Sequence, residues 1–168
     1  MSVAYTDRGA NLLGALVLAV VDDLRPATAD AAVVQLADHP DLTIEDLRRR
    51  TGLTHSATVR MVAQLEQRGL VTRGQSDRDR RAVVLTLTAD GRDAATRVLA
   101  ARAEVLAGVL APLAPADRHE FERLLGLLLD ALPRSADHAT VICRLCELPA
   151  CPMSHCPVEH SYLHHLGQ

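Results

Sequence analysis

The chain has 168 residues, enough for one domain of ordinary size with a small appendage. It is 48% hydrophobic but only 2% aromatic and has no Trp, so Ala, Leu and Val must pack its core and a mostly helical protein is expected. A net charge of −3 excludes a uniformly basic nucleic-acid binder, and no stretch is long and apolar enough to span a bilayer. The apolar run Leu12 to Val21 is too short for that, and it lacks the basic flank and cleavage site of a secretory leader. A cytoplasmic protein with reduced thiols is the expectation.

In chain order, residues 11–24 read as a helix with Asn11 as its cap, and Pro26 interrupts. A second helix starts at Thr28 or Asp30 and runs to about Asp38, followed by a His39-Pro40-Asp41 turn. Thr43 and Asp46 have the spacing of a capping box and open a short helix ending near Arg50. Gly52 suits the left-handed conformation of a tight helix–helix turn. The next helix runs from His55 to Gln67, with Val59, Val62, Leu65 and Met61 as its inward candidates, and Gly69 terminates it. Leu70–Arg73 and Ala82–Leu87 form a hairpin around the polar segment Gly74–Arg81. Thr88 to Gly91 cap a long helix to about Leu110, Pro112 and Pro115 mark a turn, and a last long helix spans Asp117 to Leu132. From Arg134 the chain changes character and carries all four Cys and most of the His. The expected division is 1–133 for a compact helical domain and 134–168 for a Cys/His-rich segment.

Charge is unevenly spread. Between Ile44 and Arg81 nine Arg face five acids (Glu45, Asp46, Glu66, Asp77, Asp79), which leaves −7 for the rest of the chain. This basic stretch coincides with the order short helix, Gly turn, second helix, basic-tipped hairpin. A helix held on a rigid turn fits the major groove of DNA, and a hairpin beside it reaches the minor groove or backbone. Thr54, His55, Ser56, Thr58 and Arg60 at the start of the second helix are the candidate groove contacts, with Arg60 able to pair bidentately with a guanine edge. Arg78, Arg80 and Arg81 at the hairpin tip, interleaved with Asp77 and Asp79, suit a narrow, negative minor groove.

The stretch Leu53–Gly91 resembles the MarR (multiple antibiotic resistance regulator) family of winged-helix regulators. The matching residues are Leu65-Glu66-Gln67-Arg68-Gly69-Leu70-Val71, then Asp79-Arg80-Arg81, then Leu85-Thr86-Leu87-Thr88-Ala89-Asp90-Gly91. The general layout extends over about residues 10–132. The resemblance implies a mainly α fold with a small β-hairpin wing: a winged helix-turn-helix, dimeric and MarR-like. It also implies a homodimer joined by the N-terminal and last two long helices, and binding to an inverted-repeat operator in double-stranded DNA. Arg81 would then enter the minor groove, Asp79 would orient it, and Arg78 and Arg80 would contact the backbone. Members commonly act as repressors that release DNA on binding a ligand or on cysteine oxidation; the chain is not expected to be an enzyme. Their phenolic-ligand pockets are usually rich in aromatics, for which Tyr5, Phe121 and Tyr162 are poor material.

Cys143, Cys146, Cys151 and Cys156, separated by two, four and four residues, can wrap one metal or cluster. The spacing equals that of a zinc knuckle with Cys in place of His, which argues for structural Zn. Pro152 and Pro157, each following a Cys, and the apolar Leu145, Leu148, Ala150, Met153 and Val158 argue for an iron–sulfur cluster. The iron–sulfur reading is the preferred one, with Zn the alternative. His138, His155, His160, His164 and His165 lie near the quartet in sequence, and His155, flanking Cys156, is the best placed to support it. DNA binding modulated by this centre is the expected function. The alternatives are a small-molecule-responsive regulator with structural Zn, and an electron carrier or metalloenzyme. The last lacks any accompanying general base, nucleophile triad or phosphate loop.

Overall fold

The computed structural model describes residues 8–76 and 82–161. Helices α1 (Arg8–Leu24) and α2 (Thr28–Asp38) lead into a two-residue strand β1 (Leu42–Thr43), then α3 (Ile44–Thr51) and α4 (His55–Gln67). Strands β2 (Val71–Gln75) and β3 (Val83–Leu87) follow, then the long helices α5 (Ala89–Leu110) and α6 (Pro115–Ala131). The C-terminal segment adds α7 (Ala136–Ile142), a single 3₁₀ turn at Met153–His155 and α8 (Pro157–Ser161). The protein is mainly α with a small β-hairpin, as the sequence leads one to expect, and a third short strand extends the hairpin to an antiparallel sheet in the order β1-β3-β2.

Local chemistry sets most boundaries. Thr43 caps α3: its hydroxyl accepts from the Asp46 amide, while the Asp46 carboxylate accepts from the Thr43 amide at 3.1 Å. Gly52 closes α3 in the left-handed region at φ 72°, and its amide donates to the Arg48 carbonyl. Gly69 ends α4 in the same way, at φ 69°. Two expectations are corrected. Strand β1 was not anticipated; it exists because Leu42 and Thr43 pair with Leu85 and Val84. On α4 the inward stripe is Thr58, Met61, Val62 and Leu65, with Val59 only half-buried.

One core unites these elements. Leu36 of α2, Leu47 of α3, Val62 and Leu65 of α4, Leu85 and Leu87 of β3, and Ala95 of α5 form a single buried cluster. The start of α5 is locked to the turn after α4, where the Thr88 hydroxyl donates to the Gly69 carbonyl at 2.7 Å. A Cβ at Gly91 would run into the Leu70 carbonyl oxygen. By contrast, no residue of α1 or α6 is fully buried within the subunit. They expose Leu12, Leu13, Val17, Leu18 and Val21 on one, and Leu124, Leu127, Leu128 and nearby Leu132 on or just beyond the other. Among the described residues no single helix is long and apolar enough to cross a membrane.

The segment after residue 133 does not stand apart from the rest. Helix α7 packs against α3, and α8 packs against α6.

Substituting Leu65→Ala, at a side chain 1% exposed, is expected to cost about 2–5 kcal/mol in chemical denaturation. Gly91→Ala is expected to cost about 1–3 kcal/mol, because the added methyl meets backbone rather than a side chain that can move aside.

Candidate nucleic-acid interface and thiol cavity

Helices α3 and α4 with the Gly52 turn make the helix-turn-helix. Thr54 caps α4, accepting from the Ala57 amide at 3.3 Å. His55, Ser56 and Arg60 are exposed and share one side of the first two turns, a polar stripe opposite the core. Thr58 is not part of it. It is fully buried, and its hydroxyl donates back to the Thr54 carbonyl at 3.0 Å, so it packs α4 rather than reaching outward. The wing is fixed to the same helix: Arg73 Nε of β2 donates to both carboxylate oxygens of Glu66 at 3.0 Å. Arg78, Asp79, Arg80 and Arg81 lie outside the described residues.

On α3 the exposed pairs Arg48–Glu45 and Arg49–Asp46 each span one turn. The Arg48 guanidinium holds the Glu45 carboxyl below the ordinary range. Arg50 differs, being half-buried and donating to Gln35 Oε1 at 3.1 Å. Burial lowers its pKa first, with Arg49 adding to the shift against Asp46.

The four cysteines line one cavity of about 340 Å³, together with Asp38, His39, Arg50, Leu148 and Val158. Successive tight turns return the chain to this space: the Cys146 amide donates to the Cys143 carbonyl at 2.9 Å, and the Cys151 amide to the Glu147 carbonyl at 3.0 Å. The thiols sense one another. Cys146 is lowered to about 6 because Cys143 donates a hydrogen bond to its thiolate, with Arg102 assisting against burial. Cys143 is correspondingly raised, by that bond and by burial. Cys151 is raised by burial and by the neighbouring Cys156 and Cys146. The thiols face a shared space without closing on a point: among the described residues no group of three or more His, Cys, Asp or Glu is set to hold a single ion.

The histidines fall differently from expectation. His155 pairs with Ser154 Oγ at 2.9 Å, His160 with Asp130 at 2.9 Å, and His138 Nδ1 accepts from the Arg134 amide at 3.2 Å. The histidine lining the thiol cavity is His39, far away in sequence at the end of α2. Burial, and then Arg50, hold its pKa below the usual range, with Asp38 opposing. His164 and His165 lie outside the described residues. No local spacing pointed to His39, Gln35 or Arg50, since only the fold brings α2 and α3 to the cysteines. A second cavity of about 340 Å³ lies between α1, α2, α4 and α5. Its lining combines Arg68, Arg97 and Arg102 with Asp23, Asp30 and aliphatic side chains.

Residues 31–82 match the model of the MarR family, a span from within α2 through the helix-turn-helix and β2. The structure superposes on the YusO protein of Bacillus subtilis with a TM-score of 0.64 and 25% identity, covering 78% of this chain and 99% of that one. The fold is that of the MarR family. Two relatives by sequence, both from Bacillus subtilis, are named as regulators. An uncharacterized HTH-type transcriptional regulator, YwhA, is 31% identical over 90 residues, covering 54% of this chain and 65% of its own length. An organic hydroperoxide resistance transcriptional regulator is 35% identical over 60 residues, covering 36% of this chain and 41% of its own length. The chain thus spans less than two thirds of either. Both are transcriptional regulators by name.

In reduced, metal-free protein Cys146 is expected to be alkylated by iodoacetamide ahead of the other three, at a rate that falls as pH drops through about 6. Peptide mapping of brief labelling at pH 7 reads this; preferential labelling of Cys143 would contradict the shared-proton pair.

Proposed function

We propose that the chain is a MarR-type DNA-binding transcriptional regulator, a homodimeric repressor of an inverted-repeat operator. In this reading, its DNA binding is conditional on a centre held by Cys143, Cys146, Cys151 and Cys156. The observation that carries the DNA-binding part is the exposed stripe His55, Ser56 and Arg60 at the free end of α4, beside a wing pinned to that helix by Arg73 and Glu66. Among the described residues, all but Val83 of the twelve large exposed hydrophobics lie on α1, on α6 or one residue beyond it. That surface supports a second copy as the missing half of the core. Two copies place two α4 helices for two half-sites.

Four thiols on one cavity support a metal centre, and thiolates are the ligands that iron–sulfur clusters and zinc share. An iron–sulfur cluster is the favoured occupant. The Pro that follows each of Cys151 and Cys156 supports that choice, as do the apolar walls given by Leu148, Val158 and Ala139. When bound, the cluster would supply redox or iron sensitivity. The chain's own part is to hold four thiolates and to screen them with those walls. The likeness to a regulator named for organic hydroperoxide resistance makes peroxides the oxidant class to test first. The cavity carrying Arg68, Arg97 and Arg102 favours one second reading: structural Zn at the thiols, with a small anionic effector bound between α1, α2 and α5.

Two experiments test this. Protein purified without oxygen is expected to be brown, with iron and acid-labile sulfide; a colourless protein with about one zinc per chain would select the second reading. On an operator selected from random DNA, Arg60→Ala is expected to cost about 1–3 kcal/mol and to relax base preference at one position per half-site. Unchanged affinity and preference would remove α4 from the interface. Leu127→Glu is expected to yield monomers in sedimentation and to abolish high-affinity binding.

A further inference from the structure

We propose that α7 transmits the state of the four thiols to the recognition helix within the same subunit, with Val141 and Gln35 as its positioning residues. The inference rests on the proposed regulatory reading and adds the route by which the centre acts.

Helix α7 ends at its C-cap, Cys143, two residues beyond Val141. Val141 fills the space that Gly52 leaves by having no side chain: a Cβ at position 52 would stand 3.2 Å from Val141 Cγ2 and 3.4 Å from Cγ1. Gly52 is the turn between α3 and α4, held at φ 72°, so its backbone sets the direction in which α4 leaves α3. A displaced α7 therefore presses on, or withdraws from, the pivot of the helix-turn-helix.

A hydrogen-bonded bridge runs beside this contact. Gln35, 5% exposed, donates to the carbonyl of Arg144 at 3.2 Å and accepts from Arg50 Nη1 at 3.1 Å. Arg144 lies inside the Cys143–Cys146 loop, and Arg50 sits in the last turn of α3. One buried amide thus spans the thiol loop and the helix-turn-helix. Breaking it leaves partly buried polar groups without their partner, so the bridge is costly to deform.

The other end of the thiol segment is anchored elsewhere. Cys156 immediately precedes α8, which packs on α6 and pairs His160 with Asp130 at 2.9 Å. The four thiols therefore connect α8, seated on α6, to α7, seated on α3. Drawing them round a centre, or releasing them, would shift α7 relative to α8. This route differs from a shift in the spacing of the dimer helices, because the contacts that bear on Gly52 lie within one subunit.

The test compares wild type, Val141→Ala, Gln35→Met and the shape-conserving Val141→Thr, each purified anaerobically. Metal, sulfide and the visible spectrum are recorded first. Operator Kd is then measured on intact protein and on protein stripped with EDTA under reductant. Wild type is expected to show a ratio of roughly tenfold or more between the two states, in either direction. Val141→Ala and Gln35→Met are expected to keep the centre while the ratio falls below about threefold, and Val141→Thr to keep both. Variants that hold the centre and retain the wild-type ratio would overturn the proposal. So would variants that lose the centre, since the contacts would then serve assembly rather than transmission. If wild type carries neither metal nor sulfide, the proposed centre fails and the route is tested separately. The same ratio is then taken between reduced protein and protein treated with diamide, which removes two electrons and two protons from a thiol pair to close a disulfide. A wild-type ratio of one in that comparison overturns the route itself.

Discussion

The left-handed turn at Gly52 is the constraint on which the rest depends. It lets α3 stop after Thr51 with its Arg48 carbonyl satisfied, and it sends the chain into α4 after only three residues. Because that residue carries no Cβ, Val141 can lie against the turn, and α7 acquires a seat on the helix-turn-helix. A side chain at position 52 would strain the turn and force Val141 to give way by a few tenths of an ångström.

Around this pivot the chain separates two kinds of surface. The core-facing stripe of α4, including the buried hydroxyl of Thr58, fixes the helix against α2, α3 and the sheet. Its opposite stripe stays polar and open. Basic residues gather in and around that reading head although the chain as a whole carries −3. On the proposed reading, a negative remainder would limit non-selective attraction to polyanions and leave docking to the local patch. The large exposed apolar residues lie almost wholly on α1 and α6 and not on α4, which suits pairing of copies through those helices.

Much of this was legible in the sequence because the signals are local. Thr43 with Asp46, Thr54, and Thr88 with Gly91 mark helix starts through hydrogen bonds spanning three residues. Gly52 and Gly69 mark helix ends through backbone conformation alone. What was illegible depends on distant partners. Strand β1 has two residues and owes its existence to β3. Thr58 took the place expected of Val59 because the helix rotates to satisfy the whole core rather than the most apolar reading of four positions. In the C-terminal segment the spacing of the cysteines was plain, but their company was not. His39, Asp38, Gln35 and Arg50 come from α2 and α3, and no pattern within residues 134–168 points to them. The seven-residue α7 has too few turns for a periodicity to emerge.

On the proposed route the cysteine segment, through α7 on α3, works as part of the helix-turn-helix and not as an appendage to it. Amide hydrogen exchange, comparing wild type with the variant carrying Cys143→Ser, Cys146→Ser, Cys151→Ser and Cys156→Ser, tests this most directly, since it needs neither the operator nor the identity of any centre. The prediction is faster exchange in the variant across the end of α3, the Gly52 turn and the first turn of α4, as well as in α7. A difference confined to residues beyond 135, with the helix-turn-helix amides unchanged, would contradict it.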